Sequence, residues 1–552
     1  MTENFQPRRV QRTGVLLVVL LLLGYWLYTQ FIQPLPFYFR YDPELPYFMS
    51  SLSVFKGHPY VFVDHPGTPV EVLGTLILAL TYPFTGGNSE QFVIYHLQNP
   101  MLFLVMGRSF LTFTAILSVI LVARYAIRVG DGKDAVLSIA IAVSYFAIHP
   151  HDESVVAHDG FASLTFWSHN SFNLPLGTTL LLGLLLAIRS NRSLSWRVVA
   201  LLGFAAGVLT AIQLYFAVWV ICIFVTLYVF SALNKRPLRQ TIATGGTVVV
   251  SSLVGFGVAT IPIFERYDLF LGWVWRLFSS QGIYGTGERG FTSVESLTTN
   301  FVKLLSEAPH VVGVAGIVVI TLVVILFLQR RTLDQHRGVW ALSCGLVVHT
   351  LVLFFLILKH PQTHYLISIS ATMPILLAVI FSDLTEGIRW LRQARILIAA
   401  LMLAGLLVSF VQAFQFHQER LNRVATFDAT VQRGLEQYAN VTGHPQEEMR
   451  IFWSYATHSP CTGFWFGNEY ADRAFTDELE QICVNEQMFN VWPDGVVLGN
   501  EFTPLERGEW DVLIAVSDRL TDFTVNAVAD YTIRELGDNI TFITHEPFTL
   551  PQ

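Results

Sequence analysis

Residues 8–34 read Arg8-Arg9-Val10-Gln11-Arg12-Thr13-Gly14-Val15-Leu16-Leu17-Val18-Val19-Leu20-Leu21-Leu22-Leu23-Gly24-Tyr25-Trp26-Leu27-Tyr28-Thr29-Gln30-Phe31-Ile32-Gln33-Pro34. A helix crossing the hydrocarbon core needs about 20 mainly apolar residues, and Gly14 to Ile32 supplies that length without one Asp, Glu, Lys or Arg. The run is long for a secretory signal, lacks a small-residue cleavage site and ends in Gln33-Pro34, so it reads as an uncleaved first span. Similar runs follow at 101–123, 134–149, 171–188, 198–231, 241–263, 309–328, 338–358, 365–381 and 396–414, with 198–231 long enough for two short helices. The fold class expected is mainly α: a polytopic membrane helical bundle of about eleven spans.

Charge placement gives an independent test of that count. With the N-terminus in the cytoplasm, the inner segments 1–13, 124–133, 189–197, 232–240, 329–337 and 382–395 carry three Lys or Arg each, 18 in 64 residues. The opposite segments 33–100, 150–170, 264–308 and 359–364 carry 7 in 140. Lys and Arg concentrate in cytoplasmic loops, so the alternation supports a multi-pass protein of the plasma (inner) membrane.

Composition agrees: 53% of the 552 residues are hydrophobic and 14% charged, against about 25% charged in an average soluble chain. An ordinary soluble enzyme is excluded. Residues 1–414 carry 26 bases and 19 acids, whereas 415–552 carry 8 and 22. No basic domain marks a nucleic-acid partner. The boundary divides a transmembrane domain, 1–414, from a soluble extracytoplasmic domain, 415–552. In the latter, alternating runs at 510–516 and 540–544 and a helical stretch from Thr476 to Cys483 predict an α/β or α+β fold. Cys461 and Cys483 fall in this external tail, where disulfides persist, and are expected to be bridged.

Long outer loops are where function concentrates, and 13 of the 19 acids in the membrane domain lie on the outer side. The first loop opens Tyr41-Asp42-Pro43-Glu44-Leu45-Pro46-Tyr47, which is also an ordinary helix start: an N-cap Asp, Pro at the first helical position and an acid in the first turn. A short helix should run to Phe55 and end at Gly57. Asp64-His65-Pro66-Gly67-Thr68-Pro69 then leads to an apolar helix from Val70 to Phe84, too short to span, so that both helices are expected to lie along the membrane surface.

These residues resemble the polyprenyl-phosphate-dependent membrane glycosyltransferases of the GT-C fold, such as protein O-mannosyltransferases and lipid A aminoarabinose transferases. The family has an acidic pair after the first span, a Tyr three residues beyond the Glu, a small residue four further on, a Gly closing the first surface helix and a Pro-rich lead into the second. Here Glu44, Tyr47, Ser51, Gly57 and Pro66 to Pro69 look like those features, and Arg108 like the Arg of the second span. The likeness covers residues 1 to about 380. With Glu44 aligned, the family's Asp position falls on Pro43, and Asp42 is one residue early, so the resemblance implies a catalytic base at Asp42 or Glu44 without deciding between them.

A second acidic group follows the third span: His149-Pro150-His151-Asp152-Glu153, then His158-Asp159-Gly160. Glu153 or Asp159 resembles the family's second acidic site. His151, Asp152, His158 and Asp159 also offer donors for a divalent metal ion, and a solvated helix end would need no ligand at all. Lys359-His360-Pro361-Gln362-Thr363-His364-Tyr365 sits in an outer turn where similar enzymes hold the lipid-linked phosphate. Lys359 and His364 therefore stand as donor-phosphate residues, although a Lys at a helix end also simply snorkels to headgroups. Gly285-Thr286-Gly287-Glu288-Arg289-Gly290 matches the dinucleotide fingerprint only formally, because no βαβ unit surrounds it. Arg289 is a further phosphate candidate, and Trp273 and Trp275 fit an interfacial anchor.

The resemblance implies an inverting transfer of a sugar from a polyprenyl-phosphate donor to the hydroxyl of a glycan, lipid or protein acceptor at the outer membrane face. Two alternatives stand beside it: a lipid or glycan transporter or flippase, and a non-catalytic envelope assembly protein.

Overall fold

The computed structural model describes residues 6–63, 67–85, 87–129, 166–189, 195–281, 288–307, 337–359, 389–454, 457–491, 497–499, 507–516, 532–537 and 539–544, with short pieces in 312–320 and 361–372. The chain forms two compact units. The first comprises Met1–Ile32, Val63–Val70 and Arg108–Phe414, and the second Gln33–Phe62, Glu71–Gly107 and Gln415–Gln552. The first outer loop, assigned above to the membrane domain, thus mostly belongs to the same unit as the tail.

Helices dominate the first unit: α1 (Gln6–Leu27), then, after α2 (Tyr41–Ser53), α3 (Thr68–Thr85) and α4 (Ser89–Gln98), which belong mainly to the second unit, α5 (Pro100–Val129), α6 (Asn173–Arg189), α7 (Trp196–Ile212), α8 (Ala217–Leu233), α9 (Leu238–Thr260), α10 (Tyr267–Ser279), α11 (Val294–Glu307), α12 (Arg337–Ile357) and α13 (Arg389–Thr442). Six stretches among the described residues are long and apolar enough to cross a membrane: Thr13–Ile32, Pro100–Leu121, His169–Ile188, Leu214–Leu233, Leu238–Ser279 and Arg337–Ile357. The expected spans at 134–149, 309–328 and 365–381 lie wholly or mostly outside those residues. The run 198–231 is two helices, because Gln213 is extended (φ −157°, ψ 132°) and a 3-10 turn, Leu214–Phe216, follows it.

Helices α7 and α9 meet without intervening side chains. A Cβ on Gly207 would stand 2.0 Å from the Ser252 carbonyl oxygen, and one on Gly255 2.2 Å from that of Phe204. The Ser252 hydroxyl donates to the Gly203 carbonyl at 2.9 Å. Small residues with a hydroxyl across the seam are the usual way apolar helices associate where lipid removes the hydrophobic drive.

The second unit holds α2 (Tyr41–Ser53), α3 (Thr68–Thr85, which begins in the first unit) and α4 (Ser89–Gln98), besides the tail. Asp42 is non-helical (φ −96°, ψ 119°), so the regular part of α2 starts at Pro43. Pro43 and Pro46 both fall among the first four residues, whose N–H groups have no intrahelical partner to lose. The 3-10 turn Val54–Lys56 ends α2 at Gly57, which is left-handed (φ 81°) and donates to the Val54 carbonyl. Helix α4 bends 107° from α3 and is capped by the Asn88 side chain.

In the tail, α13 runs past residue 414 to Thr442 and leads to a six-stranded sheet ordered β3-β2-β1-β4-β6-β5. The strands are β1 (Ile451–Ser454), β2 (Glu486–Val491), β3 (Val497–Gly499), β4 (Val512–Val516), β5 (Thr532–Gly537) and β6 (Ile540–Thr544). β1 pairs parallel with β2 and β4, and the outer pairs are antiparallel. Between β1 and β2 lie α14 (Pro460–Glu469), capped by Ser459, and α15 (Thr476–Ile482). The apolar run of β4 is continuous rather than alternating, and Val512 to Ala515 are all buried. β4 lies inside the sheet between β1 and β6, and cover on both faces replaces alternation by an unbroken apolar run.

Cys461 and Cys483 form a disulfide with Cα atoms 5.7 Å apart, while Cys222 and Cys344 are free. Alkylation of the unfolded, unreduced protein should therefore add two labels and, after reduction, four; four labels before reduction would contradict the bridge. Gly207→Leu should lower stability by about 1–3 kcal/mol or more through overpacking of the α7–α9 seam, read as a drop in melting temperature in detergent.

Candidate active site

The two acids of the first loop meet different surroundings. Asp42 is exposed, whereas Glu44 is fully buried in the first turn of α2. Glu44, Tyr47 and Ser51 follow three- and four-residue spacing and so share one face of the helix. The buried Tyr47 ring packs on Phe62 with centroids 4.9 Å apart. The Ser51 hydroxyl lies 2.6 Å from the Tyr47 carbonyl oxygen and 3.0 Å from that of Glu71. A Cβ on Gly74 would come within 2.3 Å of that hydroxyl. The small residue at 51 is therefore a packing residue that lets α3 approach α2.

That approach creates a group the sequence reading missed. Glu71, in the first turn of α3, is fully buried and accepts a hydrogen bond from the Ser50 hydroxyl. Burial pushes its carboxyl up to about 8, against the opposing pull of the Ser50 bond. Burial thus favours the protonated form of Glu71. No local signal in the sequence sets Glu71 apart, since an acid in a first helical turn is ordinary; only α2 lying over it removes the water.

In the first unit, Lys359 lines an apolar pocket with Gln213, Leu214, Tyr215, Trp273, Leu277, Phe278, Phe291, Leu356 and Tyr365. Its ammonium donates to the Leu277 carbonyl in the last turn of α10 and sits 4.5 Å from the centroid of Phe291. Burial lowers its pKa from the ordinary lysine value. An ammonium has three donors, so the Leu277 bond leaves capacity for a further acceptor. Tyr215 and Tyr365 pack at 4.4 Å, and the Gln213 side-chain nitrogen is buried with no hydrogen-bond partner among the described residues.

Arg289 is exposed and forms an isolated β-bridge with Ser280. Two bonds, Gln281 N–H to Glu288 O and Gly290 N–H to Ser279 O, both 2.8 Å, close the base of the glycine-rich loop, whose residues 282–287 lie outside the described residues. Arg289 is thus two residues from Phe291, the ring beneath Lys359. His364 lies in the 3-10 helix Thr363–Leu366. Trp273 and Trp275 differ: Trp273 is buried in the pocket wall and Trp275 is 72% exposed, so only Trp275 suits an interfacial anchor.

Glu153, Asp159, His151, Asp152 and His158 lie outside the described residues. Among the described residues, no three His, Cys, Asp or Glu side chains gather to hold a metal ion. The tail's Trp453 and Trp465 are core residues, whose indole N–H groups bond the Glu486 carboxylate at 2.8 Å and its carbonyl at 3.0 Å.

Glu71 sets a pH dependence whose sign is fixed. A carboxyl whose folded pKa is raised makes the folded state bind the extra proton, so stability is lost as pH rises from the unfolded value of 4.5 towards 8. Glu71→Gln keeps the neutral shape and should flatten the fall in melting temperature between those limits; a slope identical to that of the unaltered protein would exclude Glu71 as its source.

Neither a protein-family model nor a curated protein matches the chain. Solved structures similar to it include the following two. ArnT from Cupriavidus metallidurans bound to undecaprenyl phosphate is 12% identical with a TM-score of 0.48, over 98% of this chain and 99% of that one. The Archaeoglobus fulgidus oligosaccharyltransferase in the apo form is 11% identical with a TM-score of 0.44, over 95% of this chain and 73% of that one.

Proposed function

We propose that the protein is a membrane glycosyltransferase that takes a sugar from a polyprenyl-phosphate donor and passes it, with inversion, to an acceptor hydroxyl at the outer membrane face. The observation that carries the reading is the Lys359 pocket: nine mostly apolar or aromatic residues around one ammonium. An isoprenoid chain calls for the apolar wall and its phosphate for the cation. The chain's apolar helices supply the membrane setting, and the loop features shared with GT-C enzymes supply the acids.

In this mechanism the acceptor oxygen attacks the anomeric carbon, its proton passes to a carboxylate, and the bond to the lipid phosphate breaks with its electron pair leaving on the phosphate. Asp42 is favoured as proton acceptor over Glu44, since it is the exposed member, and a general base must touch the proton it removes. Glu44, enclosed against its neighbours, orients the start of α2. Lys359, Arg289 and His364 offset charge on the departing phosphate. Outward-facing acids argue against nucleotide sugars as donors.

Purified protein with a labelled polyprenyl-phosphate sugar tests this directly. Asp42→Asn should reduce transfer about 10²–10⁴-fold, the usual worth of a general base, while the melting temperature stays unchanged. Lys359→Met should raise the donor KM. Labelled lipid that changes leaflet without bond cleavage would replace the enzyme by a flippase, and full activity in both Asp42→Asn and Glu44→Gln would remove the acids from the mechanism.

A further inference from the structure

The proposed chemistry uses the first loop, yet the helix carrying the acids is seated by the tail. Helix α14 lies against α2 through two glycines one turn apart. A Cβ on Gly463 would stand 3.2 Å from Cβ of Tyr41, the residue before Asp42. One on Gly467 would stand 3.1 Å from the backbone carbonyl carbon of Leu45, the residue after Glu44, and 2.8 Å from Cγ of Met49. The contacts climb both helices in step, four residues on each. Around them, Phe466 packs edge-on to Tyr41 at 5.1 Å and Phe464 meets Phe37 at 4.9 Å.

The ends of this seam are fastened. Cys461, in the first turn of α14, is joined to Cys483, just beyond α15. Lys56, at the far end of the α2 region, pairs with Glu478 of α15 at 2.6 Å and donates to the Ala474 carbonyl at 2.7 Å. At the near end the Tyr38 hydroxyl donates to Asp428 of α13 at 3.0 Å. Burial, reinforced by Asp428, raises the Tyr38 phenol to about 12, so it stays a donor throughout the physiological range.

We infer that α14 is a positioning element for the acids of α2, with Gly467 fixing the backbone beside Glu44 and Gly463 admitting the Tyr41 side chain beside Asp42. The tail is then a structural part of the reaction centre rather than an accessory to it. The inference rests on the reading of Asp42 and Glu44 as reaction residues. A methyl group at 467 meets the Leu45 main chain, which cannot rotate away and must give by a few tenths of an ångström, and the Met49 side chain, which can rotate. Displacement of a reacting group by about 1 Å can cost on the order of 10²-fold in rate, so a shift of a fraction of that is worth about tenfold.

The test compares full-length Gly467→Ala with Gly434→Ala. Gly434 lies on α13, where a Cβ would come within 2.6 Å of Leu536 and 2.7 Å of Phe542, so this variant strains the tail away from the seam. Amide hydrogen exchange across residues 44–53 and steady-state transfer kinetics are measured on each. Gly467→Ala should speed α2 exchange about tenfold or more and lower kcat about tenfold or more, with donor KM changed less than about twofold. Gly434→Ala should lower the melting temperature but leave α2 exchange and kcat unchanged. If Gly467→Ala does not fold, Gly463→Ala, with its looser clash, should show the same pattern at about two- to fivefold. Unaltered α2 exchange in the seam variants, or an equal loss of kcat in Gly434→Ala, overturns the inference. Faster α2 exchange in a protein that shows no transfer even unaltered would keep the seating of α2 and overturn the glycosyltransferase reading instead.

Discussion

A backbone amide left unpaired in hydrocarbon costs several kcal/mol, and that penalty governs the whole first unit. Among the described residues, every apolar run long enough to cross is a helix, because only a helix pairs its own backbone. The penalty also controls the one place where the run 198–231 breaks. Gln213 leaves the helix, yet its N–H still reaches the Leu209 carbonyl at 3.2 Å and its carbonyl accepts from Phe216 at 2.9 Å. The break is tolerated because its backbone stays paired, and it turns the Gln213 side chain and Tyr215 into the wall of the Lys359 pocket.

The same solvent removes the hydrophobic drive between helices, so close approach takes over. Gly207 against Ser252 and Gly255 against Phe204 bring α7 and α9 to backbone contact. The second unit uses the same device between α14 and α2, where Gly463 and Gly467 meet Tyr41 and Leu45, and combines it with a sheet core of Val512, Leu513, Ile514 and Phe542. In one unit glycine contact joins helices that lipid surrounds; in the other it sets the place of a helix whose first turn carries two carboxyl groups.

The chemistry follows from burial acting on residues of one kind. Asp42, Glu44 and Glu71 are carboxyl groups within 30 residues of one another, yet Asp42 is exposed, Glu44 is enclosed, and Glu71 is pushed up to about 8 by loss of water. Likewise Lys359 is a helix-end lysine by sequence, but it donates to the end of α10 while facing an apolar pocket. The structural bond leaves room for the proposed phosphate-binding role, because an ammonium has three donors.

The sequence by itself determined the apolar helices among the described residues, the start and stop of α2 at Asp42 and Gly57 and the bridge-forming cysteines, whereas the tail it set apart shares a compact unit with the first outer loop. Each of these depends on a local property: run length, capping chemistry, a left-handed glycine or composition. Only the tertiary structure decided that β4 is buried on both faces, that Trp273 and Trp275 face differently, that Glu71 is buried, and that the tail's α14 packs against α2. These depend on which surfaces meet across hundreds of residues, as Gly467 meets Leu45. Solvent exclusion at such a contact is a property of both partners, and no single stretch of sequence records it.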